Sequence, residues 1–200
     1  MLLQLRMLLD TALRNFAEAF AAGTENIGTV EYRAPQPFVE PIPLAEVLRD
    51  YYERLRFSDR PLVGGRLLLG LFPLDWLEAA QQGWRWVRDK NGAVTENPIW
   101  NKHWIVIADR HGDALVVDDS TARGVVTGHI GSFNVKIADD LASFFQVMAE
   151  AMTIEASTFN YEVDDEDFNP IPEFLDAVSA IALRVLGPDG EAGFMEFFFG

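Results

Sequence analysis

The first third of the chain carries the hydrophobic spacing of helices. Between residues 3 and 22, apolar side chains recur every three or four positions, which predicts an amphipathic α-helix that ends at Gly23. Residues 24–42 hold three prolines and a short β-like patch, and we expect an extended connector there. A second helix is predicted from Pro43 to about Arg56, because its apolar residues again share one face.

Two breaks and a short helix follow. Pro61 and the pair Gly64–Gly65 interrupt the helical pattern. Asp75 is then expected to cap a helix that runs from Trp76 to about Gln82.

The middle of the chain switches to the alternating pattern of β-strands. Residues 83–94 predict a hairpin around Asn91-Gly92, a pair that favours tight β-turns. Further strands are predicted over residues 104–108, 114–118, 124–130 and 133–137, with a turn at 110–113.

Helical spacing returns after these strands. We predict one helix over residues 138–152 and a last helix over 171–186, stopped by Gly187–Pro188. The apolar tail 193–200 is expected to enter the core or to form an edge strand. The predicted class is therefore α+β: an antiparallel meander flanked by helices, in a single domain with an extra N-terminal helix and a C-terminal extension over 153–187.

Charge and composition narrow the function. The chain has 16 basic and 31 acidic side chains, a formal net charge of −15, so we expect a basic protein partner and no nucleic acid. The absence of cysteine excludes disulfides and thiolate metal sites. Arg6 and Asp10 interrupt the apolar N-terminal run, unlike a signal peptide, and no segment reaches the ~18 apolar residues of a membrane span. We therefore expect a cytoplasmic protein that does not bind a membrane.

The motifs of common catalytic sites are missing from the sequence. One polar group could suggest a metal, because its six members lie within seventeen residues. On the predicted hairpin at most two or three of them converge, whereas a catalytic zinc takes three protein ligands and a structural zinc four, so no metal or cofactor is expected. The alternative interpretation is that they satisfy turns, with Asp118 bonding locally. The six residues are His103, Asp109, His111, Asp113, Asp118 and Asp119; the separate His129 is interpreted as a strand-face residue.

Five tryptophans fall within 29 residues. We expect Trp76 and Trp104 in the core, because each ring brings a large apolar area. Trp84 and Trp86 are expected to share one face of a strand, and Trp100, in a predicted loop, is expected to be the most exposed.

Acidic charge is concentrated toward the C-terminal end. Residues 137–183 contain eleven acidic side chains and no Lys or Arg. So many like charges repel one another, and an acidic surface aimed at a basic protein is a natural use for them; a solvated loop is the alternative. The candidate partner-binding residues are Asp139, Asp140, Glu162, Asp164, Asp165, Glu166 and Asp167.

Three stretches resemble the SUKH superfamily, the domain shared by bacterial toxin-immunity proteins and the fungal Smi/Knr cell-wall regulator. The most specific stretch, 100–118, runs from Trp-Asn-Lys-His-Trp through an apolar strand and a Gly-Asp turn to a second strand ending in Asp. Residues 71–84 resemble the family's short helix leading to tryptophan, and residues 124–145 its third strand and closing helix. The resemblance covers roughly residues 43–152. It gives these fold-signature residues: Trp76, Trp84, Trp100, Trp104, Gly112, Asp113, Asp118 and Phe144.

This resemblance implies an α+β fold without catalysis and a protein-binding role. In the family that role is most often a cytoplasmic immunity protein, which blocks a toxin, frequently a nuclease, encoded beside it. The basic cleft of a nuclease suits an acidic inhibitor. Two alternatives stay open: a regulatory domain with a cellular partner, and a metal-dependent hydrolase built on His103, His111 and the nearby aspartates.

Overall fold

The computed structural model describes residues 2–200. The helices are α1 (Leu2–Ala22), α2 (Glu46–Arg54), α3 (Leu77–Ala80), α4 (Leu141–Ser157) and α5 (Pro172–Phe199). The strands are β1 (Ile27–Tyr32), β2 (Leu55–Val63), β3 (Leu69–Leu71), β4 (Trp86–Arg88), β5 (Val94–Glu96), β6 (Trp104–Arg110), β7 (Asp113–Asp118), β8 (Val125–Ile130) and β9 (Phe133–Ala138).

Seven strands form one antiparallel sheet in the order β1-β2-β3-β6-β7-β8-β9, and β4 and β5 form a separate hairpin. The α+β class is therefore confirmed, as are the meander β6 to β9 and the hairpin, in which Gly92 has φ 82°. Gly112 turns the chain between β6 and β7 with φ 95°. Sheet formation also reaches beyond residues 43–152, because β1 is an edge strand of the large sheet.

The main core lies between one face of the sheet and helices α1, α2, α4 and α5. Phe16 of α1 meets Phe145 of α4 edge-on, with 4.8 Å between ring centroids, and Tyr51 of α2 stacks on the same ring at 5.3 Å. Phe144 is also fully buried. The helical spacing of α1 and α4 thus reflects the stripe that each helix buries against the other.

The opposite face of the sheet carries a smaller cluster around Phe72, Val106 and Val116. The segment between α3 and β6 covers this cluster, and Gln81 attaches the segment to β6. The Gln81 amide nitrogen donates to the carbonyl oxygen of Val106 at 2.9 Å, and its amide oxygen accepts the Val106 N–H at 3.0 Å. Gln81 thereby acts as a strand partner for β6 beyond the end of the short β3.

The second helix is confirmed but is shorter than the predicted span from Pro43 to about Arg56, because it begins at Glu46 and the chain turns into strand at Leu55. Strand β2 is not predicted from the sequence, because Pro61 lies within it and proline usually interrupts a regular element. The structure accommodates Pro61 where the β1–β2 register shifts, so that Ile27 pairs with Leu62 but Thr29 pairs with Ser58. A bulge at a sheet edge is a place where proline costs no ladder hydrogen bond.

The short helix expected between Trp76 and Gln82 is present as α3 (Leu77–Ala80), but Asp75 does not cap it. Pro73 precedes a 3-10 turn over Leu74–Trp76, and only then does the short α3 begin. This turn sets the helical phase so that Leu77 is fully buried. Trp76 is 51% exposed, and its expected place in the core is not realised.

The first helical stretch of α5 ends at Gly187, as predicted: the backbone there is non-helical, with φ 76° and ψ 178°. A second helical stretch, which was not predicted, follows and reaches Phe199. The apolar tail enters the core as helix rather than strand: Phe194 and Phe198 are fully buried, and Phe197 packs tightly on Gly128 of β8. Among residues 2–200, no helix is long and apolar enough to cross a membrane.

Candidate partner-binding surface

The densest acidic segment forms a structured loop between α4 and α5. We call residues 160–169 the acidic loop. Three of its non-glycine residues have left-handed backbone, with φ of 49° at Asn160, 61° at Tyr161 and 62° at Phe168. Each such residue costs of order 1 kcal/mol or more, so the surrounding contacts must hold this conformation.

Backbone hydrogen bonds close the base and the tip of the acidic loop. At the base, the N–H of Ile171 donates to the carbonyl oxygen of the buried Val163 at 2.8 Å. At the tip, the Asp165 carboxylate accepts the N–H groups of Asp167 and Asn169, each at 2.9 Å. These bonds, led by the one from Asn169, lower the pKa of Asp165. Asp165 therefore stabilises the conformation of the loop and also contributes a negative charge to it.

Arg66, in the connection between β2 and β3, ties the acidic loop to the sheet. Its guanidinium donates to the Asp164 carboxylate and to the carbonyl oxygen of Phe168. Its main-chain N–H donates to Oε1 of Glu155 on α4 at 2.6 Å. One residue thus joins the sheet, the last turn of α4 and the tip of the loop.

Glu155 is 1% exposed, and its carboxylate lies against the backbone of Gly65. A Cβ atom at position 65 would overlap that carboxylate, and the φ of 61° there also favours glycine. Burial raises the pKa of Glu155 to about 7; Asp164 and Glu25 add to the rise, and the N–H and charge of Arg66 oppose it. A carboxyl group that is half neutral near pH 7 therefore supports the loop.

The outward face of the acidic loop presents one aromatic ring among carboxylates. Phe168 is 81% exposed, although burial of a large apolar side chain would stabilise the protein. Glu162 and residues 164–167 are exposed around it. Carboxylates accept charge-assisted hydrogen bonds from Lys and Arg, and an aromatic ring can fill a pocket or stack on a guanidinium. This combination is the usual anatomy of a protein-binding hot spot with a polar rim.

Asp139 and Asp140 do not join this surface. They precede α4, whose 17 residues span about 25 Å, while the acidic loop follows its other end. Asp140 caps α4 by accepting the N–H of Ser143 at 2.7 Å, and Asp139 pairs with Lys136 at 2.6 Å. The seven candidate residues therefore divide into a loop of five and a structural pair.

The six His and Asp residues considered as a metal site do not converge. Among residues 2–200 no group of three or more His, Asp or Glu side chains is placed to hold a metal. Asp118 accepts the N–H of Ser120 at 2.9 Å, so its local bonding is confirmed. Asp113 accepts the N–H of Gly131 at 3.1 Å, Asp109 pairs with Arg60, and His111 lies in the β6–β7 turn with φ 53°.

Asp119 instead supports the start of α2. It is 3% exposed, and its carboxylate accepts the main-chain N–H of Ala45, the N-cap of that helix. Its own N–H donates to the carbonyl oxygen of His103 at 2.8 Å, which is the contact His103 makes across the hairpin. Burial raises the pKa of Asp119 to about 6, against the opposing hydrogen bonds from Ala45 and Leu48.

The tryptophans pack around a histidine. Trp84, Trp100 and Trp104 contact the ring of His129 with centroid distances of 6.0, 5.1 and 5.3 Å. His129 lies on a strand face, as predicted, and burial lowers its pKa. Two predictions for the tryptophans are wrong: Trp104 is only partly buried, and Trp100 is not the most exposed, since Trp76 is. Trp100 is partly buried because its indole N–H donates to the Trp104 carbonyl oxygen at 2.9 Å. Trp86 does not share the cluster of Trp84; it packs against Arg85.

Three residues that form or support this surface are not among the predicted site residues: Arg66, Glu155 and Phe168. Glu155 left a signal, because it continues the helical spacing of the buried Met148 and Met152 at a position where an apolar residue is expected. A carboxylate on the apolar face of a helix indicates a special contact. Arg66 gave no such signal, since its partners on α4 and in the acidic loop are 89 and 98 residues away.

Comparison of the chain with family models, with curated proteins and with solved structures finds no match.

Proposed function

We propose that this chain is a non-catalytic protein-binding domain that docks its acidic loop on a basic partner. The observation that carries the proposal is Phe168, held exposed within a rim of carboxylates by bonds from Arg66. A loop fixed before binding loses little conformational entropy when the partner arrives. The net charge of −15 adds long-range attraction for a basic protein.

The role that best suits this surface is that of an immunity protein, which neutralises a toxin by covering its active cleft. This step rests on the resemblance of residues 43–152 to the SUKH superfamily. A nuclease toxin presents a basic cleft for a polyanion, and an acidic loop with a central aromatic ring is complementary to it. The site residues are then Glu162, Asp164, Asp165, Glu166, Asp167 and Phe168, with Arg66 and Glu155 as positioning residues.

The test is a paired capture followed by a neutralisation assay. Wild-type chain and the triple variant Glu166→Lys, Asp167→Lys, Phe168→Ala are used as baits in lysate of the native host at low and moderate salt. We expect a basic protein on the wild-type bait alone, released by salt. Its expression should arrest growth, and co-expression of the wild-type chain, but not of the variant, should restore it.

Two results would refute parts of this proposal separately. Equal capture by wild type and variant would remove the acidic loop from the interface. Capture that depends on the loop, of a protein whose expression leaves growth unaffected, would retain the docking surface and replace immunity by a regulatory role.

A further inference from the structure

A recess lies between the acidic loop, the last turn of α4 and the connections that precede β1 and β3. We call it the loop recess. Its volume is about 590 Å³, within the range of pockets that bind small ligands, and it is open to solvent. Phe168 forms part of its wall, although the ring is mostly exposed. The loop recess therefore adjoins the surface on which the basic partner is proposed to dock.

Carboxylates outnumber cations in the loop recess. Its charged lining consists of Glu25, Glu155 and Asp164 as anions and Arg66 as a cation. Arg66 is already engaged, because its guanidinium donates to Asp164 and to the carbonyl oxygen of Phe168. The carboxylates of Glu25 and Glu155 have no ion-pair partner among residues 2–200. The recess therefore has two acidic groups to offer to a cation from outside.

The Glu155 carboxylate carries a free hydrogen-bond acceptor into the recess. Its side chain is among the most buried polar groups, with 1% exposure, and such groups normally have their hydrogen bonds satisfied. Oε1 accepts the main-chain N–H of Arg66 at 2.6 Å, whereas Oε2 accepts no hydrogen bond from residues 2–200. Oε2 is also not fully enclosed by protein, unlike the unpaired Asp119 Oδ1. This oxygen is therefore available to a donor that enters the recess.

The spacing of the carboxylates favours an extended organic cation over a metal ion. Among residues 2–200 no three acidic or histidine side chains are placed close enough to hold a metal. A guanidinium is planar and carries several N–H donors, so it can bond to carboxylates that lie apart. The stem and the flat head of an arginine also pack well on aromatic rings, and Phe168 supplies such a ring.

We propose that the loop recess receives an arginine side chain of the basic partner, whose guanidinium donates to Oε2 of Glu155 while Phe168 packs against the same side chain. This inference rests on the proposed docking of the acidic loop and names the group of the partner that the surface recognises. Glu155 then has two functions: Oε1 supports the loop through Arg66, and Oε2 binds the partner.

Binding of an arginine should depend on pH through Glu155. Burial raises the pKa of Glu155 to about 7, opposed by the N–H and charge of Arg66 and assisted by Asp164 and Glu25; Tyr161 is the remaining titratable side chain in the recess. A bound guanidinium favours the ionised carboxylate, so binding releases a proton. Because a group of pKa 7 is about one-tenth ionised at pH 6 and about nine-tenths at pH 8, the affinity should rise nearly tenfold over that interval.

Two capped tripeptides test the proposal on the full chain. One is acetyl-Gly-Arg-Gly-amide, and the other has citrulline, which is neutral and similar in shape, in place of the arginine. Each is titrated between about 0.1 and 20 mM, a range that brackets weak binding, while amide NMR spectra follow the main-chain N–H groups of Gly65 and Arg66. We expect saturable shifts with the arginine peptide, nearly tenfold tighter at pH 8 than at pH 6, and no saturation with the citrulline peptide.

A matched pair of variants assigns the binding to Glu155. Glu155→Gln should weaken binding of the arginine peptide at pH 8 and remove its pH dependence. Glu31→Gln removes one exposed carboxylate on β1, outside the recess, and should bind the peptide like wild type. Binding by Glu155→Gln that keeps the wild-type pH dependence would overturn the role of Glu155.

Failure of this inference is distinguishable from failure of the docking proposal. Equal responses to the arginine and citrulline peptides, or tighter binding of the corresponding lysine peptide, would overturn the arginine assignment even if capture from lysate depends on the acidic loop. Binding that is selective for the arginine peptide and weakened in Glu155→Gln would support the assignment even if the lysate yields no basic protein.

Discussion

The main-chain N–H of Arg66 donates a hydrogen bond of 2.6 Å to Oε1 of Glu155, and through this bond the sheet holds the last turn of α4. The Arg66 guanidinium then reaches past Glu155 to the acidic loop. The buried Glu155 carboxyl and the exposed acidic loop are therefore linked by the same residue, Arg66. Substitution of Glu155, or of Gly65 against which its carboxylate lies, should therefore change the free energy of unfolding.

Glu155→Gln should make the unfolding free energy less dependent on pH. The folded-state pKa of Glu155 is about 7, above its ordinary value of 4.5, so its stabilising contribution is full below pH 4.5 and is lost as pH rises through 7. Gln keeps the acceptor for Arg66 and carries no charge. We expect the variant to be more stable than wild type at pH 8, by up to about 3 kcal/mol, and similar to it at pH 5.

Urea unfolding at the two pH values measures this difference. Asp119, whose pKa is raised to about 6, contributes a fall of the same sign between pH 4 and 6 in both proteins and therefore cancels in the comparison. Parallel stability profiles for wild type and Glu155→Gln would show that Glu155 does not carry the effect.

Gly65→Ala should cost more than the backbone strain of its left-handed φ. The new Cβ would overlap the Glu155 carboxylate as well as strain the backbone. Gly92→Ala is the matched control, because Gly92 has φ 82° and nothing within 4 Å of the added Cβ. We expect the control to lose about 1 kcal/mol of unfolding free energy and Gly65→Ala to lose clearly more. Equal losses in thermal or urea unfolding would contradict the tight contact.

Gln81→Met should destabilise the fold although it preserves size. It leaves the N–H and carbonyl of Val106, both buried, without the partner that Gln81 supplies. We expect a loss of about 2–3 kcal/mol in the free energy of unfolding. Gln82→Met, at the exposed neighbouring position, should change it by less than about 0.5 kcal/mol. A Gln81 variant as stable as the control would mean that water replaces the amide.

Asp140→Ala should affect stability and leave binding by the acidic loop unchanged. It removes the carboxylate that accepts the Ser143 N–H at the start of α4, a cap worth about 1 kcal/mol. Asp139→Ala removes only an exposed ion pair with Lys136 and should cost little. Urea unfolding and the capture assay read the two effects separately. Loss of capture in the folded Asp140 variant would return this end of α4 to the binding surface.

Local periodicity was enough to predict most elements of this fold. The helices α1 and α4 and the meander β6 to β9 each carry their spacing within a single segment. Strand β2 does not, because residues 55–63 gain their strand character from pairing with β1, across a bulge that accommodates Pro61. The predicted burial of Trp76 is wrong for a related reason. The 3-10 turn before α3 changes which residues of this segment face the core.

The sequence predicts the acidic charge of the candidate site but not the contacts that hold its loop in place. The acidic residues are adjacent in sequence, and so their shared exposure could be expected. Beside the local bonds of the loop, Arg66 supports it through partners 89 and 98 residues away, Glu155 and Asp164, and no local pattern indicates such pairs. The exposure of Phe168 follows from that long-range support, which explains why the aromatic anchor was missed.

Hydrogen exchange of the chain, alone and bound to the basic protein captured by the wild-type bait, tests the central claim most directly. Binding through the acidic loop predicts slower exchange in residues 160–170, and in the Arg66 connection, with little change at the start of α4. Protection confined to other segments, with residues 160–170 exchanging as in the free chain, would contradict the account.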